Sequence, residues 1–277
     1  MRESDWSSDV CSSDLLVFSK WREGLGGNMI TLVSGSAALS TKLNRSFHGA
    51  GIPILEGYGL TETSPVIAVN SFERVKIGTV GHVLDNLDVK IQADGEITVK
   101  GPSVFQGYYK DEEKTKEAFT EDGYFMTGDI GHIDEEGFLH ITDRKKEMFK
   151  TSGGKYVAPQ VLENLAKGSK FIEQIMVVGD GEKMPCALVQ PDYAFAKLWA
   201  ERKHLKIGKT PEEMANSPEL KARIMKDINL LNATLGKWEQ IKKIELTPTP
   251  WTIEDGLLTP TMKLKRKAVK EKFFNLY

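Results

Sequence analysis

A chain of 277 residues with a net charge of −2, 40% hydrophobic and 27% charged residues, is long enough for two domains or one large one. Its near-neutral balance gives no electrostatic case for nucleic acid or a strongly acidic partner, and no apolar stretch approaches the roughly 20 residues that cross a bilayer. Two cysteines, Cys11 and Cys186, make neither a disulfide framework nor a zinc cluster; with no basic-then-apolar leader, the expected setting is reducing and cytoplasmic.

In chain order, the first stretch is DWSSDVCSSDL (Asp5 to Leu15), which repeats Ser-Ser-Asp and fits neither a helical nor a strand period. It looks like a translated sequencing adapter, so Met1 to Leu15 is set apart as an artefactual or disordered leader. The protein proper is expected to begin in mid-domain at about Leu16. From there to Asp143 short strands are broken by turn chemistry. Ile30 to Val33 reads as a strand, followed by a small-residue loop and a helix through Leu39 to His48. Ile52 to Leu55 and Val66 to Val69 read as buried strands. Two hairpins turn at Asp94-Gly95 and Glu136-Gly137. This is sheet or barrel structure with an α/β layer before it.

After Asp143 the texture changes. Pro159 sits near a helix start and Gly168 just past its end. EQIMVVGDGEKMPCALVQP reads as two strands around a loop. The clearest helix has Ser217 as N-cap, Pro218 in the first turn and Gly236 as its stop, with Leu220, Ile224, Ile228, Leu231 and Leu235 on one face. Residues 144–277 therefore form a second, smaller α/β domain after the 16–143 region.

Four stretches carry candidate chemistry. In EGYGLTETSPV, glycines let backbone approach a ligand. Tyr58 offers a ring face, Thr61 a hydroxyl and Glu62 a hard oxygen suited to Mg²⁺; a plain turn between strands is the competing account. In GYFMTGDIG, Asp129 stands at a strand end, able to accept from a ribose diol or, as a turn aspartate, from its own backbone. DRKKEMFKTSGGKYVAP packs cations around Gly153-Gly154, which suits either phosphate or a solvated face. GLLTPTMKLKRK presents Lys263 after a proline-bearing turn, and otherwise reads as a basic terminal helix or an address signal.

Taken together and in order, SGSAALS, EGYGLTETSPV, GYFMTGDIG, DRKKEMFKTSGGKYVAPQVLE and GLLTPTMKLKRK resemble the adenylate-forming acyl-CoA synthetases, and within them the long-chain fatty-acyl-CoA synthetases. The resemblance runs from about Leu16 to Tyr277, with the helical segment Tyr193 to Gly236 favouring the fatty-acyl branch. It implies the C-terminal part of a large AMP-binding domain (an α/β layer plus a β-barrel-like subdomain), followed by a smaller mobile α/β domain. It also implies an ATP-dependent ligase joining a fatty acid to coenzyme A through an acyl-adenylate.

By that resemblance Thr61 meets phosphate oxygens and Glu62 meets Mg²⁺. Ser36, Ala37 and Ala38, with Glu56, Gly57, Tyr58 and Gly59, line the AMP base pocket. Asp129 holds the ribose with help from Arg144, and Lys146 is the hinge. Gly153, Gly154 and Lys155 flank the coenzyme A channel, and Lys263 bridges the acyl carboxylate and the α-phosphate. The partners implied are small molecules, not nucleic acid; peripheral contact with a membrane is allowed and the oligomeric state left open.

One departure is the Ser/Thr/Gly-rich phosphate loop that family members carry upstream, which is not found before Ser34. The expectation is a fragment without turnover by itself. The other readings are a non-catalytic AMP- or coenzyme A-binding fragment, and a ligase that passes its acyl group to a carrier protein. If Met1 to Leu15 is foreign to the fold, deleting it leaves the thermal midpoint of the chain unchanged; a substantial drop on calorimetry rejects the adapter reading.

Overall fold

Valine and isoleucine runs punctuated by glycine shape the first half of the chain. The computed structural model describes residues 17–273; the leader lies outside them. Helix α1 (Ser19–Gly24) precedes β1 (Leu32–Ser34), α2 (Thr41–Gly49), β2 (Ile54–Gly59), β3 (Val66–Val69) and β4 (His82–Val83). β1 and β2 pair in parallel, with Leu32 opposite Ile54 and α2 as the crossover, whereas β2, β3 and β4 pair antiparallel. This register places β1 two residues beyond the start expected at Ile30.

A second four-stranded sheet follows, from β5 (Asp88–Ile91), β6 (Glu96–Lys100), β7 (Phe125–Ile133) and β8 (Leu139–Arg144), in that order, with α3 (Glu112–Glu117) between β6 and β7. Both expected hairpin turns are present: Gly95 and Gly137 each adopt φ +86°, which a side chain would resist. Backbone bonds from Val80 N–H to the Leu139 carbonyl (3.0 Å) and from Leu139 N–H to the Gly81 carbonyl (2.8 Å) stitch the two sheets together. The result is a mixed α/β unit with curled sheets.

The chain divides into two compact units, the first ending at Ile141 and the second starting at Thr142. The second contains β9 (Phe149–Lys150), β10 (Tyr156–Val157), α4 (Pro159–Ala166), β11 (Ile172–Val178), β12 (Cys186–Pro191), α5 (Tyr193–Lys203), α6 (Pro211–Ala215), α7 (Pro218–Asn232), β13 (Lys243–Leu246) and α8 (Arg266–Lys272). β12 is central, antiparallel to β11 and parallel to β13. Strand alternation splits the apolar residues between two cores. Ile175 and Val177 face Leu162, Ile224 and Ile228 on the helices. Met176 and Val178 face Trp251, Leu257, Leu258 and Val269. The sheet is buried on both sides.

The segment Tyr193 to Gly236 resolves into three helices. α7 starts as the sequence predicts, with Ser217 Oγ accepting from Leu220 N–H at 3.3 Å, but it ends at Asn232 and not at Gly236. The reason is the Asn232 side chain. Its amide donates to the Ile241 carbonyl at 2.8 Å and accepts from Ile241 N–H at 2.9 Å, so the returning chain is captured one turn early. Because Ile224 is fully buried and Leu230 is 67% exposed, Ile224→Ala is expected to cost about 2–5 kcal/mol, and Leu230→Ala no more than about 0.5 kcal/mol. Urea denaturation of the two variants checks this; equal losses contradict the packing.

Candidate functional site

In the first unit β2 runs into a single 3-10 turn, Thr61–Thr63, whose three side chains part company. Thr63 is fully buried; its hydroxyl donates to the carbonyls of Leu60 (3.0 Å) and Pro65 (2.6 Å) and accepts from Leu60 N–H. It holds the turn. Thr61 is exposed. Glu62 is half-buried, its Oε1 accepting from Tyr108 Oη at 3.1 Å and its carbonyl from Phe105 N–H at 2.8 Å. Burial, and then the Glu62 carboxylate, push the Tyr108 phenol above its ordinary pKa. Gly59 is required by packing, since a Cβ there would lie 1.7 Å from the Pro65 carbonyl oxygen.

Tyr58 joins two of the motifs. Its hydroxyl donates to Asp129 Oδ2 at 2.6 Å across 71 residues, so the tyrosine orients the carboxylate, while its ring packs against the apolar clusters around Ile67 and Ala68. Asp129 is 4% exposed and lies in the middle of β7, not at a strand end. The neighbouring glycine explains the difference: a Cβ at Gly131 would come within 2.2 Å of the His140 carbonyl oxygen. That glycine serves a close crossing of strands and does not mark a stop.

Glu56 is turned into the fold. Its oxygens accept from Asn44 Nδ2 (3.0 Å) and Leu39 N–H (3.4 Å). It therefore secures the exposed loop Ser36, Ala37 and Ala38, in which Ser36 has φ +65°.

In the second unit Arg144 ends β8, exposed, with its N–H on Asp143 Oδ1 at 2.6 Å. Lys146 lies in the exposed turn closed by the N–H groups of Glu147 and Met148 on the Arg144 carbonyl. Gly153 and Gly154 form the tip of the β9–β10 hairpin, where Gly154 has φ +79°. Lys155 Nζ stands 5.5 Å from the centre of the Trp238 ring. Lys263 is exposed on a tight loop in which Thr259 N–H meets the Lys263 carbonyl (2.8 Å) and Lys263 N–H meets Thr259 Oγ1 (3.0 Å).

Among the described residues no group of three or more His, Cys, Asp or Glu is placed to hold a metal. A Mg²⁺ here would rest on Glu62 and on phosphate oxygens brought by a nucleotide, a coordination that suits the ion. Sequence reading missed Tyr108, which no motif marks, and a polar group in the second unit: the buried Asp143 and Glu163 and the partly buried Arg266. Asp143 accepts from Gln160 N–H at 2.9 Å, and Glu163 from Val177 N–H at 2.7 Å and Arg266 Nη1 at 2.6 Å.

Residues 13–109 match the family described as AMP-binding enzyme, and residues 147–275 match the AMP-binding enzyme C-terminal domain. The first match begins inside the leader. The chain is 45% identical over 260 residues to the long-chain-fatty-acid–CoA ligase FadD15 of Mycobacterium bovis, covering 94% of this chain and 43% of that protein. It thus spans less than half of that relative. Among solved structures, the adenylation domain of a carboxylate reductase from Mycobacterium chelonae superposes with a TM-score of 0.76 at 25% identity, over 95% of this chain and 40% of that one. ATP-bound MatB from Rhodopseudomonas palustris superposes with a TM-score of 0.64 at 28% identity, over 87% and 45%.

Burial pushes the Asp143 carboxyl up to about 6; it pushes Glu163 up to about 7, outweighing the opposing charge of Arg266. A carboxyl that holds its proton more tightly folded than unfolded stabilises the fold below its unfolded pKa, and that stability is lost as pH rises through the folded value. The second unit is therefore expected to lose stability from pH 4.5 towards about 7. Asp122 in the first unit is held at about 2 by Thr120 and Lys90, so its contribution is lost at the acid end, as pH falls below 3.8. Glu163→Gln, which imitates the protonated acid, should flatten the thermal midpoint between pH 5 and 7. An unchanged slope removes Glu163 as its source.

Proposed function

Because the chain belongs to the AMP-binding, adenylate-forming acyl-CoA synthetases, we propose that the complete protein is a long-chain fatty-acid–CoA ligase. The observation that carries the reading is the 2.6 Å bond between Tyr58 and Asp129. It unites in one unit the two motifs assigned to the nucleotide, beside the turn bearing Thr61 and Glu62. The acyl specificity is supported by the identity to a named long-chain ligase, and the nucleotide by the ATP held in a superposable relative.

In this reading a fatty-acid carboxylate oxygen bonds to the α-phosphorus of ATP and the bond to pyrophosphate breaks. The sulfur of coenzyme A then bonds to the acyl carbon as AMP leaves, the thiol proton passing to solvent. Glu62 would hold a Mg²⁺, which when bound would neutralise charge on the phosphates, and Thr61 would meet the phosphate oxygens. Asp129, fixed by Tyr58 and assisted by Arg144, accepts from the ribose hydroxyls. Gly57 to Gly59 and Ser36 to Ala38 bound the base. Lys263 meets the charge that builds on the α-phosphate, where a positioned cation counts most. Lys146 is the hinge that exchanges this lysine for the coenzyme A side, Gly153 to Lys155.

No helix among the described residues is long and apolar enough to cross a membrane.

In the complete protein Asp129→Ala should weaken AMP binding by about 1.5–3 kcal/mol, the range for charge-assisted hydrogen bonds; undiminished binding by calorimetry refutes the ribose role. Lys263→Ala should slow acyl-adenylate formation, read as pyrophosphate release, while thioester formation from supplied acyl-adenylate persists. Lys146→Pro should show the reverse pattern by stiffening the hinge. Equal losses in both half-reactions for both variants contradict the swinging unit, and thioester formed only on a carrier protein transfers the reading to that acceptor.

A further inference from the structure

Val177 lies on β11, an edge strand of the three-stranded sheet, where outward-facing peptide groups have no neighbouring strand to bond. Both of its peptide groups are taken by side chains. Its N–H donates to Glu163 Oε1 at 2.7 Å, and its carbonyl accepts from Arg266 Nη2 at 2.5 Å. Arg266 Nη1 also donates to that same Glu163 oxygen at 2.6 Å. One guanidinium, one carboxylate and one residue's backbone thus close a ring of contacts between α4, β11 and the start of α8. The ring is largely dry, Glu163 being 7% exposed.

Arg266 follows Lys263 by three residues. Between them Leu264 bridges Leu258, and Lys265 N–H donates to the Leu257 carbonyl at 2.8 Å; Leu257 and Leu258 are core residues. The lysine faces solvent while the backbone behind it is held. At the other end of α4, Asp143 takes the Gln160 N–H, and the Gln160 side chain donates to Glu147 Oε2 at 2.8 Å, next to Lys146. A continuous line of contacts therefore runs from the turn bearing Lys146, through α4, to the loop bearing Lys263.

We propose that Arg266 is a positioning residue for Lys263: locked onto Glu163 and Val177, it fixes the loop Thr259 to Lys265 so that the lysine reaches the reacting phosphate from a set origin. The proposal rests on the adenylation role given to Lys263 above. A lysine is a point charge on a flexible stem, so the backbone it hangs from decides where the charge arrives. The fork of a guanidinium suits the site because a carboxylate and a carbonyl are met by two different nitrogens; a lysine offers a single nitrogen on a flexible stem and no fixed fork.

Two measurements test this. The first is amide hydrogen exchange on the 277-residue chain. Since Arg266→Gln alone leaves the buried Glu163 carboxyl without its cation, the Glu163→Gln/Arg266→Gln pair is measured beside it. In both, the Thr259 to Lys265 amides should exchange at least about 10-fold faster while those of α7 keep their rates. Unchanged loop exchange overturns the anchor whatever the protein's activity, and equal acceleration in α7 reduces the ring to a general stabiliser, which also overturns it.

The second uses the complete protein. Arg266→Gln should lower kcat for adenylation about 100-fold with KM for ATP within about 3-fold, and Arg266→Lys should recover part of the loss. In a Lys263→Ala background, Arg266→Gln should add less than about 2-fold, because both changes remove one function; a full additive loss rejects positioning. If Lys263→Ala leaves adenylation intact, the role proposed for that lysine fails and the link from Arg266 to adenylation fails with it, while the exchange measurement still judges the anchor.

Discussion

A three-stranded sheet with both faces covered has only its edges left to meet water, and the second unit is organised by that constraint. The alternation of Ile175 and Val177 against Met176 and Val178 commits helices to one face. It commits the chain from Trp251 onwards to the other. The C-terminal segment also closes one edge of the sheet, since the Arg266 side chain meets the Val177 carbonyl, where a strand neighbour would otherwise bond. The loop that presents Lys263 comes just before that contact. Lys263 is exposed there while the backbone around it is bonded to Thr259 and Leu257.

The first unit follows a different rule. Its candidate residues are held by long-range hydrogen bonds, Tyr58 to Asp129 between the two stitched sheets and Tyr108 to Glu62 between a loop and the 3-10 turn. The Thr-Glu-Thr turn shows how closely structural and chemical duties are interleaved: of two chemically identical side chains two positions apart, Thr63 is consumed by the turn and Thr61 is left exposed. Glu56 is a parallel case, an acid in a motif that serves the scaffold by securing the loop of Ser36 to Ala38.

What was legible in the sequence is what local chemistry decides. Asp94-Gly95 and Glu136-Gly137 announce hairpins because a positive φ has to be supplied on the spot. Ser217-Pro218 announces a helix start because the cap is adjacent. The end of α7 was not legible, since Asn232 acts on Ile241, a residue placed by β13. The glycines around Asp129 suggested a stop, whereas Gly131 answers to a strand that crosses it. The motif order pointed to the family and to most candidate residues, but Glu163 and Arg266 are 103 residues apart, and no window of sequence displays their pairing. Buried polar partners are chosen by the fold, and only the fold displays them.

The span of the Tyr58–Asp129 bond also has a meaning during synthesis. A polypeptide emerging from the ribosome exposes β2 and its glycine-rich turn well before β7 is made, so for 71 residues the tyrosine has no carboxylate to meet. Contacts of such sequence separation carry a loop-closure cost and slow folding. The contact therefore cannot form before β7 has been made, and any nucleotide pocket built on this pair is incomplete until then.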